Sequence, residues 1–495
     1  VGEGSVPGNS EAIAGTRLRP VHAERLRTAL SHCRGFTDDI RSELDAMRPR
    51  IISGEITVPT EPFQRGQVTV WVRTGARRVN FCGATCWRQA VTLSASRTAR
   101  GPDGPDRHDR HELAPRLDCP ILGFFNGPIW ARNADPGVAN FAVGNPQGMP
   151  LSGYVDALRT WLEPQSPDWF AYKLSEPKSQ AAVARTLTAR TGLDWDPADV
   201  AMTNGGFAAI AVTFRAILEP GDEVVFLSPP WFFYELLILA AGGVPVRVPL
   251  AQPSFDLDEP AIAAAITPRT RAVLLNTPHN PSGRVYPLDD LRSLGSLLAE
   301  AARRFGRPIY LVSDEPYNRI VFDGRRFHSP AEVYPNTITT YSYGKTLLAP
   351  GMRIGYLTVP PTMSDREALR ERVLVAQLAT GYSFPNALLQ HAIEDLERLS
   401  IDVPALERRR DWLVPALRGM GCDATLPEGT FYVMARSPIA DDVAFGGLLA
   451  EEGVLVLPGD VVEAPGWFRI SLTATDEMVE RSPTGFERAR SRAME

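Results

Sequence analysis

Residues 341–355 run Tyr341-Ser342-Tyr343-Gly344-Lys345-Thr346-Leu347-Leu348-Ala349-Pro350-Gly351-Met352-Arg353-Ile354-Gly355. The lysine is one of only three in 495 residues, with Lys173 and Lys178, and arginine carries the rest of the positive charge. Arginine replaces lysine well as a surface cation, but it stays protonated at any working pH and cannot act as a nucleophilic amine or form an imine. A lysine kept in such a chain therefore points to amine chemistry at Lys345. Ser342 brings a hydroxyl three residues before it, and Arg353 brings a fixed cation eight residues after. These are phosphate donors, so the stretch reads as a phosphate site beside a reactive amine.

Outward from this run, short apolar stretches alternate with helical patterns, the order of a mainly parallel sheet with helices on its faces. Val200-Ala201-Met202-Thr203 leads into Asn204-Gly205-Gly206-Phe207 and a helix to residue 218. Glycines between a strand and a helix start expose backbone N–H groups at the positive end of the helix dipole, where an anion can sit. The strand at 222–226 runs into Ser228-Pro229-Pro230-Trp231-Phe232-Phe233-Tyr234, in which rigid prolines deliver an aromatic ring suited to stacking on a planar group. The strand at 272–275 opens into Asn276-Thr277-Pro278-His279-Asn280-Pro281-Ser282-Gly283, with asparagine amides held in extended or turn backbone before proline. The strand at 308–312 ends at Ser313-Asp314-Glu315-Pro316-Tyr317, which puts a carboxyl and a phenol at the strand edge where ligands of open α/β sheets gather. Farther on, helical patterns cover 377–396 and 404–417, and Arg469 lies in the apolar strand Trp467-Phe468-Arg469-Ile470-Ser471. An arginine there is costly to desolvate unless it meets a carboxylate.

Taken in order, Asn204-Gly205-Gly206, Trp231, Asn276-x3-Asn280-Pro281, Asp314-x2-Tyr317, Ser342-x2-Lys345-x7-Arg353 and Arg469 resemble the class I/II aminotransferases, pyridoxal phosphate (PLP) enzymes of fold type I. The resemblance covers about 380 residues, from near 117 to the end. It implies an α/β fold with a seven-stranded, mainly parallel sheet in a large domain, plus a smaller α/β C-terminal domain. It also implies a Lys345 Schiff base with PLP, and transfer of an amino group from an α-amino acid to a 2-oxo acid. By the same resemblance Gly205, Gly206, Phe207, Ser342 and Arg353 hold the phosphate, with Phe207 standing where some members have a hydroxyl. Trp231 stacks on the pyridine ring, Asp314 keeps its nitrogen protonated, and Asn280 and Tyr317 bond the phenolic oxygen. Arg469 takes the substrate α-carboxylate, assisted by Gly144 of Asn140-Phe141-Ala142-Val143-Gly144-Asn145-Pro146 and by Asn280. Tyr172 reaches the phosphate of a neighbouring subunit, because family members of this type are homodimers with shared sites.

The expected organisation is an N-terminal extension over 1–115, an arm joining the small domain over 116–165, a PLP-binding domain over 166–365 and the small domain over 366–495. The extension is lysine-free, rich in arginine and net positive, while the whole chain has a net charge of −6, 44% hydrophobic and 22% charged residues. That balance argues against a polyanion-binding or membrane-surface role; with no apolar run long enough to span a bilayer, no basic-then-apolar leader pattern and no convincing helix-turn-helix, a cytoplasmic protein with small-molecule partners and no nucleic acid is expected. The five cysteines, at 33, 82, 86, 119 and 422, are few and odd in number, as expected of reduced thiols rather than a disulfide framework; Cys82-x3-Cys86 has no second pair at ligand spacing, and the tract with His108 and His111 reads as a solvated, mixed-charge loop, so no metal is expected. Two alternatives stay open: another PLP reaction such as that of a lyase, synthase or oxidase, and an aminotransferase-like transcription regulator.

Overall fold

The computed structural model describes residues 120–495, so the expectations for 1–115 and the first residues of the arm lie outside it. Seven strands form the central sheet: β1 (Val200–Thr203), β2 (Glu223–Ser228), β3 (Val244–Pro249), β4 (Thr270–Asn276), β5 (Tyr310–Asp314), β6 (Thr337–Ser342) and β7 (Gly355–Thr358). Their spatial order is β1-β7-β6-β5-β4-β2-β3. β2 pairs parallel with β3 and β4, β4 with β5, and β5 with β6, while β7 runs antiparallel to β6 and β1. The sheet is mixed through that single strand and otherwise parallel, as the alternating sequence pattern predicts.

Burial on both faces explains why these strands read as continuous apolar runs rather than alternating ones. On β4, Val273 and Leu275 join one core with Leu291, Leu294 and Leu298 of the helix Leu288–Phe305, while Ala272 and Leu274 join another with Ile210 and Phe214 of the helix Gly205–Ile217. The Leu288–Phe305 helix carries Asp289 and Asp290 in its first turn and Arg303 and Arg304 in its last, matching the helix dipole, and stops at Gly306 with φ +65°.

The C-terminal part forms a second sheet of β8 (Tyr432–Arg436), β9 (Leu457–Pro458) and β10 (Trp467–Ser471), antiparallel in the order β9-β10-β8. The segment Ala139–Asn140 pairs parallel with Val454–Leu455 beside it, and the Phe141 backbone bonds both Leu455 and Ser471, so this part of the expected arm is built into the second core. The helical pattern expected over 377–396 differs in the structure. One helix, Arg366–Thr380, begins earlier and ends at Gly381 with φ +74°; a second, Ala387–Leu396, starts after Pro385, with the Asn386 side chain capping Leu389 N–H. Apolar spacing continues through the break, and the left-handed glycine and the cap impose it. Among the described residues no helix is long and apolar enough to cross a membrane.

Candidate active site

The chemistry-bearing peptides of the seven-stranded sheet meet at one of its edges. The parallel strands β2, β4, β5 and β6 end there, at Ser228, Asn276, Asp314 and Ser342, and β7 starts there at Gly355. β1 reaches the same edge at Thr203, which pairs with Gly355, and the helix Gly205–Ile217 begins at once. The sheet therefore gathers residues far apart in sequence without any long loop.

At the start of that helix the glycines are sterically required. Gly205 has φ +81°, and a Cβ on it would lie 2.9 Å from an Arg353 guanidinium nitrogen; one on Gly206 would lie 3.3 Å from Ser342 Cβ, and one on Gly355 2.3 Å from the Tyr341 carbonyl oxygen. Arg353 is itself left-handed at φ +56°, a conformation costly for a residue with a side chain. Its guanidinium donates only to the carbonyls of Pro350 (2.8 Å) and Asn204 (3.3 Å), and no carboxylate pairs with it among the described residues. An uncompensated cation, a helix N-terminus without a side-chain cap and a Ser342 hydroxyl with no partner among the described residues make an anion cradle. Phe207 adds no polar group to this cradle; its ring meets Trp231 edge-on at 5.1 Å and Phe233 at 5.3 Å.

Deeper in, Asp314 is 6% exposed. It accepts hydrogen bonds from the Tyr234 hydroxyl (2.6 Å) and the Thr340 hydroxyl (3.0 Å), while the Asn276 amide donates to its carbonyl oxygen (2.9 Å). Burial pushes the carboxyl up to about 6, against the two hydroxyls and the charge of Lys345. Neither hydroxyl was assigned from sequence, although Tyr234 lies three residues after Trp231 in the same peptide. Trp231 stands beside Tyr234 with ring centres 5.3 Å apart.

Lys345 sits in the single turn Tyr343–Thr346 that follows β6. It makes no ion pair among the described residues, and its ammonium lies 5.9 Å from the ring centres of both Tyr317 and Phe431. The other two lysines are elsewhere: Lys173 pairs with Glu176 at 3.0 Å and Asp168 at 3.7 Å, and Lys178 is exposed at the start of the helix Pro177–Thr191.

The second sheet closes the other side. Arg469 on β10 is 4% exposed, yet no carboxylate pairs with it among the described residues. It donates to the Asn280 side-chain oxygen (3.0 Å) and the Ala142 carbonyl (3.2 Å), stacks over the Tyr432 ring at 4.1 Å, and leaves its Nε unpartnered. The structural ion pair that would otherwise explain a buried arginine is absent among the described residues, and the unused donor asks for an anion from outside. Gly144 lies against the same ring, since a Cβ there would be 2.2 Å from the Tyr432 hydroxyl oxygen. The Tyr317 hydroxyl donates to Tyr432 at 3.5 Å. Burial drives Tyr317 well above the ordinary phenol value. Burial also works to raise Tyr432, but Lys345, Arg469 and the Tyr317 hydroxyl hold it below that value. Neither Phe431 nor Tyr432 carries a role assigned from the sequence.

Asn280 connects the two sides: its backbone N–H bonds Asn276, its side-chain oxygen takes Arg469, and its amide N–H groups have no partner among the described residues. His279 is held by Ser282 and the Pro229 carbonyl, and burial lowers it to about 4, so it is a neutral structural neighbour. Tyr172 does not join the cradle; it is 86% exposed, with its ring against Phe384 at 4.9 Å. No cluster of three or more potential metal ligands occurs among the described residues.

An anion cradle, an unpartnered amine, a buried carboxyl and a planar aromatic wall fit pyridoxal 5'-phosphate group by group. Residues 136–482 match the family described as aminotransferase class I and II. The aspartate/prephenate aminotransferase of Thermus thermophilus is 36% identical over 327 residues, covering 64% of this chain and 82% of that protein. The aspartate aminotransferase of Streptomyces avermitilis is 30% identical over 368 residues, covering 69% and 86%. Among solved structures, an aminotransferase from Eubacterium rectale superposes with a TM-score of 0.71 at 30% identity over 82% of this chain and 98% of that one. Thermus thermophilus aspartate aminotransferase with maleate gives 0.63 at 31% identity over 73% and 96%. The expectation drawn from residues 341–355 and their companions holds: the chain belongs to the class I and II aminotransferases and is a transferase that depends on pyridoxal 5'-phosphate.

Proposed function

We propose that the chain moves the amino group of an α-amino acid to a 2-oxo acid, with Lys345 as the amine that holds the cofactor. The observation that carries the assignment of roles is that three cations, Lys345, Arg353 and Arg469, border the site without a carboxylate partner among the described residues. Buried or strained cations persist uncompensated at a cost, which a phosphate at Arg353 and a carboxylate at Arg469 would offset.

Bound pyridoxal 5'-phosphate supplies an aldehyde that takes up an amino group and a ring that accepts the electron pair left at Cα. The protein's share is positioning and proton transfer. Gly205, Gly206, Ser342 and Arg353 grip the phosphate. Asp314, steadied by Tyr234 and Thr340, would hold the ring nitrogen and keep its proton in place. Tyr317 and Asn280 supply donors to the phenolic oxygen, and Trp231 covers the ring. Arg469 fixes the α-carboxylate, with Gly144 leaving room for it. The Lys345 amine would hold the cofactor and would be the base that carries the Cα proton.

A homodimer in the cytoplasm belongs to the same proposal. Tyr172 and Phe384 are exposed next to one another, and Val375 and Leu378 expose an apolar strip on the helix Arg366–Thr380 just before Phe384. A second copy would cover this strip and receive the Tyr172 hydroxyl.

Borohydride reduction of the holoenzyme followed by peptide mapping tests the central assignment. The label is expected on Lys345; label on Lys173 or Lys178 removes it.

A further inference from the structure

The turn that carries Gly144 belongs to no helix or strand: the segment Ala139–Asn140 ends before it, and the next helix starts at Ser152. Among the described residues, the only hydrogen bonds that reach the backbone of residues 143–150 come from one side chain. This is the Thr473 hydroxyl, 2.9 Å from the Asn145 carbonyl oxygen and 3.5 Å from that of Val143. The Gln147 side chain, bonded to the Asn140 carbonyl, is a second tie, but it holds the chain beyond Gly144 rather than Gly144 itself.

Thr473 is 5% exposed and has a single proton to give. Asn145 is the nearer acceptor, so the Ser471 hydroxyl, 2.9 Å from Thr473 Oγ1, donates to that oxygen in turn. Ser471 and Arg469 are two residues apart on β10 and share a face of it, and Tyr432 pairs across from Ser471 on β8. One end of β10 and the residues after it therefore hold three carbonyls of residues 141–145. Ser471 N–H donates to Phe141, Arg469 to Ala142 and Thr473 to Asn145.

Gly144 lies between the last two of these ties. Its N–H has no partner among the described residues, and the Tyr432 hydroxyl leaves it no room for a side chain. A free backbone donor and the unused Nε of Arg469 suit the two oxygens of one carboxylate, provided that the turn keeps its place beside the strand. Nothing in the turn's own backbone keeps it there, and Thr473 meets Asn145 from 328 positions away.

We propose that Thr473 is a positioning residue for substrate: its hydroxyl pins the turn 143–145 to the end of β10 and so sets the spacing of Gly144 N–H and Arg469 around the α-carboxylate. The inference rests on the assignment of Arg469 to that carboxylate.

The test uses the full chain loaded with PLP, with 2-oxoglutarate as acceptor and, as donor, whichever of L-aspartate, L-phenylalanine and L-alanine moves the cofactor absorbance most. Thr473→Val keeps the side chain's shape and removes the hydroxyl, and the Asn145 carbonyl, on an exposed residue, can turn to water. KM for donor and acceptor should rise together by about three- to tenfold, the worth of one ordinary hydrogen bond. Within the same variant kcat should change by less than about twofold, and the PLP dissociation constant from a fluorescence titration should stay at the wild-type value. Thr473→Ser, which restores the hydroxyl, should bring KM back to within about twofold of wild type. Thr473→Ala removes the same hydroxyl and is held to the same outcome if Thr473→Val does not fold. Unchanged KM in the hydroxyl-free variant, while Arg469→Lys raises it, overturns the positioning role and leaves the carboxylate assignment standing. Unchanged KM in both overturns the assignment as well. Weakened PLP binding, or a KM that Thr473→Ser does not restore, marks a general structural residue and also overturns the proposal.

Discussion

Arg469→Lys separates carboxylate recognition from cofactor binding. The wild-type guanidinium is buried, spends its Nη1 and Nη2 on two neutral oxygens, stacks on Tyr432 and keeps Nε unused. Lysine retains the charge but offers a point cation in place of a planar fork, so the paired hydrogen bonds to an α-carboxylate are lost. A charge-assisted hydrogen bond is worth about 1.5–3 kcal/mol, and the fork adds a second, partly shared one; a loss of roughly 2–4 kcal/mol corresponds to about thirty- to a thousandfold in kcat/KM. Steady-state kinetics should show KM rising together for amino acid and 2-oxo acid, because both present the same carboxylate. PLP absorbance should stay as in the wild type, because Arg353, Ser342 and Asp314 are untouched. Unchanged kcat/KM for every reactive amino acid, with PLP bound, would refute the assignment and move the carboxylate site elsewhere.

Other substitutions probe the rest of the site. Gly144→Ala places a methyl 2.2 Å from the Tyr432 hydroxyl oxygen and should cost about 1–3 kcal/mol of stability by overpacking, seen as a lowered Tm together with a raised KM. Tyr234→Phe removes a donor from the Asp314 carboxylate and should weaken PLP binding by about tenfold in a fluorescence titration, since a hydrogen bond to a charged group is at stake. Glu315, buried among Ser313, Ser329 and Asn318, is raised by burial to about 7 from an ordinary 4.5. The folded state then binds this proton more tightly than the unfolded state. The wild type should therefore gain stability relative to Glu315→Gln as pH falls from 8 to 4.5, by about 3 kcal/mol in urea denaturation. A difference independent of pH would mean that Glu315 stays ionised when buried. Other buried groups shift too, among the described residues: His279, lowered to about 4, loses stability as pH falls below 6.5, Asp314 gains it below about 6, and burial also raises Asp442, so only the difference between variant and wild type isolates Glu315.

What could be read from the sequence was what local peptides carry. Lys345 stood out because arginine had replaced lysine almost everywhere else. Glycines at 205 and 206, Asn280 before proline, and Asp314 at a strand end each have a local reason for their residue type, and strand-helix alternation dictates that parallel strands bring them to one edge. The partners that steady these residues were not legible, because they depend on contacts between distant segments. Tyr234 meets Asp314 across 80 positions and Arg469 meets Asn280 across 189. Nothing in the periodicity of residues 428–434 shows that Tyr432 packs under a guanidinium and against Gly144. The break between residues 381 and 386 was missed for a related reason: the apolar spacing on either side is compatible with one continuous helix, and only the left-handed glycine and the Asn386 cap interrupt it.

The pairing of Lys173 with Glu176 and Asp168 has a practical corollary for labelling. An ammonium held between two carboxylates is a poor target for acylating reagents, and Lys345, as the proposed cofactor lysine, would be shielded in the holoenzyme. Among the side-chain amines, Lys178 is then the one open to reaction, at the exposed first turn of the helix Pro177–Thr191. An amine-reactive dye applied to the holoenzyme should therefore mark Lys178 as its one lysine position, besides any free α-amine, giving a distance probe without any engineered cysteine. The same reagent applied after the cofactor is stripped should mark Lys345 as well, so the dye-to-protein ratio itself becomes a measure of active-site occupancy.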